Sequence, residues 1–422
     1  MTDQRAATIT ALRARLAALG GSGGLHPSRR APALGNTERV ADLGFHPEQT
    51  EAGVVFVRRR PVDLTGFLAR CGLETSPPTA ALMALFGQSC LPAVPSWVSG
   101  EGVGVLDIES LGLHGSGVLA FLVGTGVHHG DRLEAEQYLL VDPAGEEAML
   151  LAICTAIQAH RFWLTYNGRS FDIPVLSARC VINRLDPGGA RPRLHGDLLG
   201  PVRRLFRDRL GACTLRRAEM SLLNHHRVGD IPGSEAPGRY RAWLGGAPAS
   251  VLSGVVEHNL QDIVSTVLVG ARLAAHVGGE RVNPPHAADA YHLGRHLERQ
   301  GVADAAEFEL RAAVDAAIDP WARRAAHRLA LVLQRRGAAA DAQEIWRSLH
   351  DSDGKDLRAA RGYAIRLERA GDLVAALDVC VRVRRTRVDL GARWQWHRGG
   401  GVAGSTDWDR REARLRHRLS LE

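Results

Sequence analysis

Three short acidic motifs in a fixed order constrain this chain more than any other feature: Asp107-Ile108-Glu109, then Asn167-Gly168-Arg169-Ser170-Phe171-Asp172, then His258-Asn259-Leu260-Gln261-Asp262. Each carries a carboxylate on a segment whose neighbours read as core. A fold that buries those neighbours leaves costly charges unless something pairs with them. Four acids brought together repel and raise one another's pKa values unless a cation fills the gap. Hard oxygen donors of this kind suit Mg²⁺ or Mn²⁺. Two such ions, bridged by carboxylates, can bind a phosphodiester and activate a water for in-line attack. The pattern therefore implies nuclease chemistry.

With 422 residues the chain is long enough for two or three domains, and 45% hydrophobic residues exclude general disorder. The formal charge of +7, from 53 basic and 46 acidic residues, permits a polyanionic partner without requiring one. Lys355 is the only lysine. Arginine forks suit phosphates, but a GC-rich coding sequence produces the same bias. The cysteines (Cys71, Cys90, Cys154, Cys180, Cys213, Cys380) lack metal-ligand spacing and read as reduced thiols. No apolar run approaches the roughly 18 residues of a membrane span. Arg5, Arg13 and Arg15 interrupt the apolar positions that a secretory signal needs. A cytoplasmic location, away from membranes, is the expectation.

Ile9, Leu12, Leu16 and Leu19 mark one stripe of an amphipathic helix, and residues 20–36, Gly/Ser-rich and then Pro/Arg-rich, read as a flexible linker. Residues 37–100 mix a short apolar strand, Val54 to Val57, with helical stretches; this region reads as a cover of unknown role. Residues 101–282 change in pattern. Strands are expected at 103–106, Val118 to Val127, Tyr138 to Val141 and Phe162 to Tyr166, with helices over Ala148 to Ala159 and 249–276. This order predicts an α/β domain with a mixed sheet flanked by helices. Asn283-Pro284-Pro285 marks its end.

A repeat follows over 286–397. Gly301, Gly337 and Gly371 lie 36 and 34 residues apart. Eight and four residues before them stand Leu293 and Leu297, Leu329 and Leu333, Tyr363 and Leu367. Five after stand Ala306, Ala342 and Ala376, and nine after stand Leu310, Trp346 and Cys380. Large residues on one helix, a glycine at the turn and a small residue where the next helix crosses describe helical hairpins. The period resembles tetratricopeptide repeats. Residues 398–422 read as a Gly-rich loop and a short terminal helix.

Asp107 and Glu109 are two apart on an expected strand, so both leave the same face and can share a metal. Asp172 follows a turn at the start of a helix, where a plain helix cap is the alternative. His258 and Asp262 are four apart on a helix and share a face. Asp262 can complete the metal site while His258 takes the proton of the attacking water.

This series resembles the ribonuclease-H-like 3′–5′ exonucleases of the four-acid (DEDD) type. More closely, residues 100–275 resemble the YprB group, also called mitomycin repair factor B. Leu194-His195-Gly196-Asp197-Leu198 and Asp230-Ile231-Pro232-Gly233-Ser234-Glu235-Ala236-Pro237 support the likeness, as do Tyr240 and Trp243. The resemblance implies a metal-dependent DNA exonuclease in repair, acting beside a DEAD/DEAH-type helicase. It makes Asp107, Glu109, Asp172 and Asp262 the metal acids for two ions and His258 the general base. In the histidine-type enzymes the base lies five residues before the last Asp; here it lies four before, the spacing of the tyrosine type.

Arg191, Arg193, Arg203, Arg204, Arg207, Arg209, Arg216, Arg217 and Arg227 crowd between the second and third motifs. Arg203, Arg204 and Arg207 could line a path for the nucleic-acid backbone, with Asn167 beside it, or lie on solvated helix faces. Tyr240 and Trp243 could stack on a base or pack in the core. Asp197 reads as a cap. Two rival functions remain open: a nuclease-fold scaffold that binds partners through its repeats, and an RNA-processing 3′ exonuclease.

Overall fold

The structure, a computed structural model, describes residues 40–73, 79–86, 102–112, 118–280, 282, 285–389 and 405–420. The expected N-terminal helix and linker, the break at Asn283 and Pro284, and the loop at 398–404 lie outside them. The chain packs as two units. One comprises Met1–Asp63, Gly102–His195 and Arg227–Val264; the other comprises Leu64–Glu101, Gly196–His226 and Ser265–Glu422. The units interleave along the chain, unlike the consecutive segments 37–100, 101–282 and 286–397 expected above.

The first unit is built on a mixed sheet of seven strands: β1 (His46–Thr50), β2 (Gly53–Asp63), β3 (Val103–Leu111), β4 (Leu119–His129), β5 (Arg132–Leu139), β6 (Phe162–Thr165) and β7 (Leu194–Asp197). Their order across the sheet is β1-β2-β5-β4-β3-β6-β7. β6 runs parallel to β3, and β1 through β5 pair antiparallel. The expected α/β mixed sheet is present. Residues 46–63 correct the cover reading, because β1 and β2 extend the sheet itself. Arg58, Arg59 and Arg60 hide the second half of β2 from an apolar-run reading. Their strand is nonetheless satisfied: Arg58 donates to Gln137 at 2.8 Å and Arg59 to Glu136 at 2.8 Å, both on β5.

Helices Glu146–Ala159, Asp172–Ile182 and Ala236–Leu244 pack on this sheet, around a core that includes Leu106, Phe121, Ile153, Trp163, Leu176, Tyr240 and Trp243. Residues up to Val264 of helix Ser250–Val277 belong to the same unit. Gly124 on β4 admits that helix: a Cβ there would collide with the Asn259 and Ile263 side chains. A backbone without a side chain is what allows so close an approach.

The second unit is helical. Helix Leu199–Leu210 buries Val202, Leu205, Phe206 and Leu210 and packs on helix Ala287–Arg299. Arg209 and Asp289 pair between them at 2.7 Å, both nearly buried. Ala287–Arg299 with Ala303–Asp315, Trp321–Arg335 with Ala339–Ser352, and Leu357–Ala370 with Leu373–Asp389 then form three consecutive helical hairpins. Their turns hold Gly301, Gly337 and Gly371 at φ of 79, 83 and 84°, the left-handed region that a helix C-terminus favours for glycine. Ala306, Ala342 and Ala376 are fully buried at the crossings, and Leu310, Trp346 and Cys380 lie in the hairpin cores. Helix Ser405–Leu419 closes the series, burying Trp408 and Leu415.

Candidate active site

Along β3 burial alternates: Leu106 and Ile108 are buried, while Asp107 and Glu109 face the other way, partly exposed. A register shift between Glu109 and Ser110 ends the regular pairing just beyond them. At the start of helix Asp172–Ile182 the cap position belongs to Phe171, not Asp172. Asp172 reaches instead across to β3, where its Oδ1 accepts the Ile108 N–H at 3.1 Å. The simple cap alternative therefore fails. Helix Ser250–Val277 supplies His258 and Asp262, one turn apart.

The electrostatics show that these acids converge. Burial pushes the Asp107 carboxyl well above the usual range, and Asp262, Asp172 and Glu109 push it further. Burial, then Asp262, Asp172 and Asp230, raise Glu109 to about 8. Acids drawn from three distant segments thus feel one another at close range.

A row of polar groups places Asp107. Arg58, Gln137, Gly124 and Asp107 stand opposite one another on neighbouring strands β2, β5, β4 and β3. Arg58 donates to Gln137, and Gln137 donates to Val256 O at 2.8 Å and to Asn259 Oδ1 at 2.9 Å. Asn259 in turn donates through Nδ2 to Asp107 Oδ2 at 2.8 Å. Asn259 is fully buried, so its amide is satisfied by this row rather than by water.

His258 stands at the other end of the acids. Its Nε2 lies 3.9 Å from Glu109 Oε1 and 3.8 Å from Asp262 Oδ2, while Nδ1 lies 2.6 Å from Asp230 Oδ1. Arg227 bridges Asp230 Oδ2 at 3.2 Å and Asp262 Oδ1 at 2.5 Å. Burial alone would raise the Asp230 carboxyl, but the hydrogen bond and charge of His258, with the charge of Arg227, hold it below the usual range. Among the described residues no three His, Cys, Asp or Glu side chains close to metal-holding geometry. The donor chemistry nonetheless fits a hard divalent cation: four carboxylates, two of them with pKa values raised by burial and by one another's charge.

Other expectations fare differently. Tyr240 and Trp243 are fully buried, which corrects the base-stacking reading. Tyr240 stacks on Phe121 with centroids 4.2 Å apart, and its hydroxyl donates to Leu140 O at 2.6 Å. No base can reach either ring. Asn167 is exposed in the turn after β6 at φ 71°, a backbone conformation that asparagine tolerates. Arg203, Arg204 and Arg207 are exposed on helix Leu199–Leu210 of the second unit. Asp197 accepts the Leu199 N–H at 3.0 Å, but the cap position of that helix belongs to Leu198. Sequence reasoning assigned no role to Asp230, Arg227, Asn259, Gln137 or Arg58. Asp230 opens the Asp-Ile-Pro-Gly segment and Asn259 adjoins His258, which were the only signals for either.

The fold is a ribonuclease-H-like domain, a mixed seven-stranded sheet with flanking helices, followed by an all-helical region. Residues 105–274 match the family described as RNase_H superfamily, whose nucleases typically use divalent metals. The chain is also similar to the "Uncharacterized protein YprB" of Bacillus subtilis (strain 168), 26% identical over 259 residues, which cover 60% of this chain and 61% of that protein. The chain thus spans about three fifths of that relative's length. Among the described residues no helix is long and apolar enough to cross a membrane.

Proposed function

We propose that the chain is a metal-dependent 3′–5′ exonuclease of the four-acid type, acting on DNA in the cytoplasm in a repair process beside a DEAD/DEAH-type helicase. The observation that carries the reading is the mutual charge effect among Asp107, Glu109, Asp172 and Asp262 from three distant segments, with His258 Nε2 facing Glu109 and Asp262. Asp107, Glu109, Asp172 and Asp262 would hold the two Mg²⁺ or Mn²⁺ ions. When bound, those cations supply Lewis-acid stabilisation of the phosphodiester's developing charge. Asn259 keeps Asp107 turned toward the site, and Arg227 engages one oxygen of Asp262, leaving the other toward His258. His258 Nε2 accepts the proton of the attacking water. The preference for DNA and for a 3′ end rests on the likeness to the YprB group. The hairpins, read as tetratricopeptide-like, offer a surface for the protein partner.

One observation favours a second reading, a nuclease-fold scaffold: Arg227 already pairs with Asp262. Oligonucleotides labelled at either end, DNA and RNA, digested with Mg²⁺, Mn²⁺ or chelator, separate the two. The exonuclease shortens DNA from its 3′ end only with metal, and Asp107→Ala or Asp172→Ala lowers the rate by on the order of a thousandfold. Absence of digestion by the parent protein in either metal supports the scaffold. Faster loss of RNA supports the RNA-processing enzyme.

A further inference from the structure

The loop preceding helix Ala236–Leu244 contributes an acid, Asp230, and a base, Arg227, that stand outside the three acidic motifs. Asp230 and Arg227 are each 2% exposed at the side chain, and they pair with each other as well as with His258 and Asp262. Two contacts thus run from one loop to two residues one turn apart on the helix. We propose that Asp230 is a positioning residue: it fixes the His258 ring so that Nε2 is directed at the space between Glu109 and Asp262. The inference rests on the exonuclease reading for what that nitrogen does, but not for where it points.

The chemistry follows from the donors available. An ionised carboxylate only accepts hydrogen bonds. The ion pair with Arg227 at 3.2 Å and the hydrogen bond to His258 Nδ1 at 2.6 Å hold Asp230 in that form. At 2.6 Å, Nδ1 must therefore carry the proton and donate it to Asp230 Oδ1. In the neutral ring the lone pair is then on Nε2, the nitrogen that faces Glu109 and Asp262. Without Asp230, either tautomer and either ring flip becomes available, and half of the ring orientations present a carbon to the site. Arg227 prevents the alternative in which Asp230 turns away, because it holds Oδ2 at 3.2 Å while Oδ1 engages the histidine. The charged groups around the ring are Asp230 and Arg227 from the loop, Glu109 from β3 and Asp262 from the ring's own helix. Among the described residues, Asp230 lies within hydrogen-bond distance at 2.6 Å, whereas Glu109 and Asp262 lie 3.9 and 3.8 Å away.

The experiment uses the full chain. In metal-free protein with ¹⁵N-labelled histidine, the Nδ1 proton of His258 should resonate far downfield and exchange slowly, identified by its loss in His258→Gln. Asp230→Ala should abolish that resonance, and Asp230→Asn, which keeps an acceptor and the size, should retain it further upfield. With Mn²⁺ and a labelled DNA strand, Asp230→Ala should lower kcat about 10- to 100-fold. Its Mn²⁺ affinity by calorimetry should stay within about threefold of the parent's, since Asp230 is not among the acids that hold the ion. In a His258→Ala background the same substitution should cost nothing further, because it acts through the histidine. Persistence of the resonance in Asp230→Ala overturns the proposal, as does an equal rate loss with and without His258. If the parent hydrolyses nothing, the exonuclease reading fails by itself, and the resonance alone still decides the positioning role.

Discussion

Glu109 carries a measurable consequence of crowding acids. Its carboxyl holds a proton up to about 8, against an ordinary value of 4.5, because of burial and the neighbouring Asp262, Asp172 and Asp230. In metal-free protein the folded state therefore keeps a proton that the unfolded chain releases. That contribution to stability is fully present below about 4.5 and is lost as the pH rises toward about 8. Thermal unfolding in chelator should show Tm falling by roughly 5 °C or more from about pH 5 to about pH 8. Glu109→Gln should flatten the slope, and Mn²⁺ should raise Tm more at the upper end than at the lower. A Tm independent of pH would mean that the acids do not crowd. The identity of these acids was legible because each sits beside residues that must be buried. The roles of Asp230 and Arg227 were not, since a contact from a loop to a distant helix leaves no periodic trace.

At the level of elements, the close approach of helix Ser250–Val277 to the sheet decides whether the third motif reaches the first. Gly124 lies opposite both Asp107 and Gln137, and a side chain there meets Asn259 and Ile263. Gly124→Val should lift the helix and destabilise the protein by about 1–3 kcal/mol in denaturant titration. Asn259→Ala should cost a similar ~1–3 kcal/mol, because Gln137 Nε2 and Asp107 lose a buried partner. Wild-type stability in both variants would contradict the packing described. The long strands and helices were readable from apolar spacing. β2 was read short because arginines occupy its second half, and the short β1 and β7 carry too few residues for a pattern. Tyr240 and Trp243 illustrate an ambiguity that sequence cannot resolve: the same rings that stack on bases also fill cores, and here Phe121 is the stacking partner.

For the whole molecule, interleaving of the units means that no single cut separates the sheet-based unit from the helical one. The apolar stripe of helix Leu199–Leu210 packs on helix Ala287–Arg299, and Arg209 pairs with Asp289. A chain ending at residue 282 should therefore expose that stripe, express with poor solubility and lose the cooperative unfolding of the full chain. An equally stable truncated protein would show that the helical region is an independent appendage. The hairpins themselves were visible in the 36- and 34-residue glycine spacing, because each turn requires the same backbone conformation. The packing of the 196–226 segment with them was invisible, since it links segments far apart in sequence. The central claim is that Asp107, Glu109, Asp172 and Asp262 jointly hold divalent cations. Anomalous diffraction at the manganese edge, from crystals of the full chain soaked in Mn²⁺, tests it most directly. The account predicts manganese peaks ringed by oxygens of those four side chains at about 2.0–2.3 Å; peaks elsewhere, or none among these acids, would contradict it.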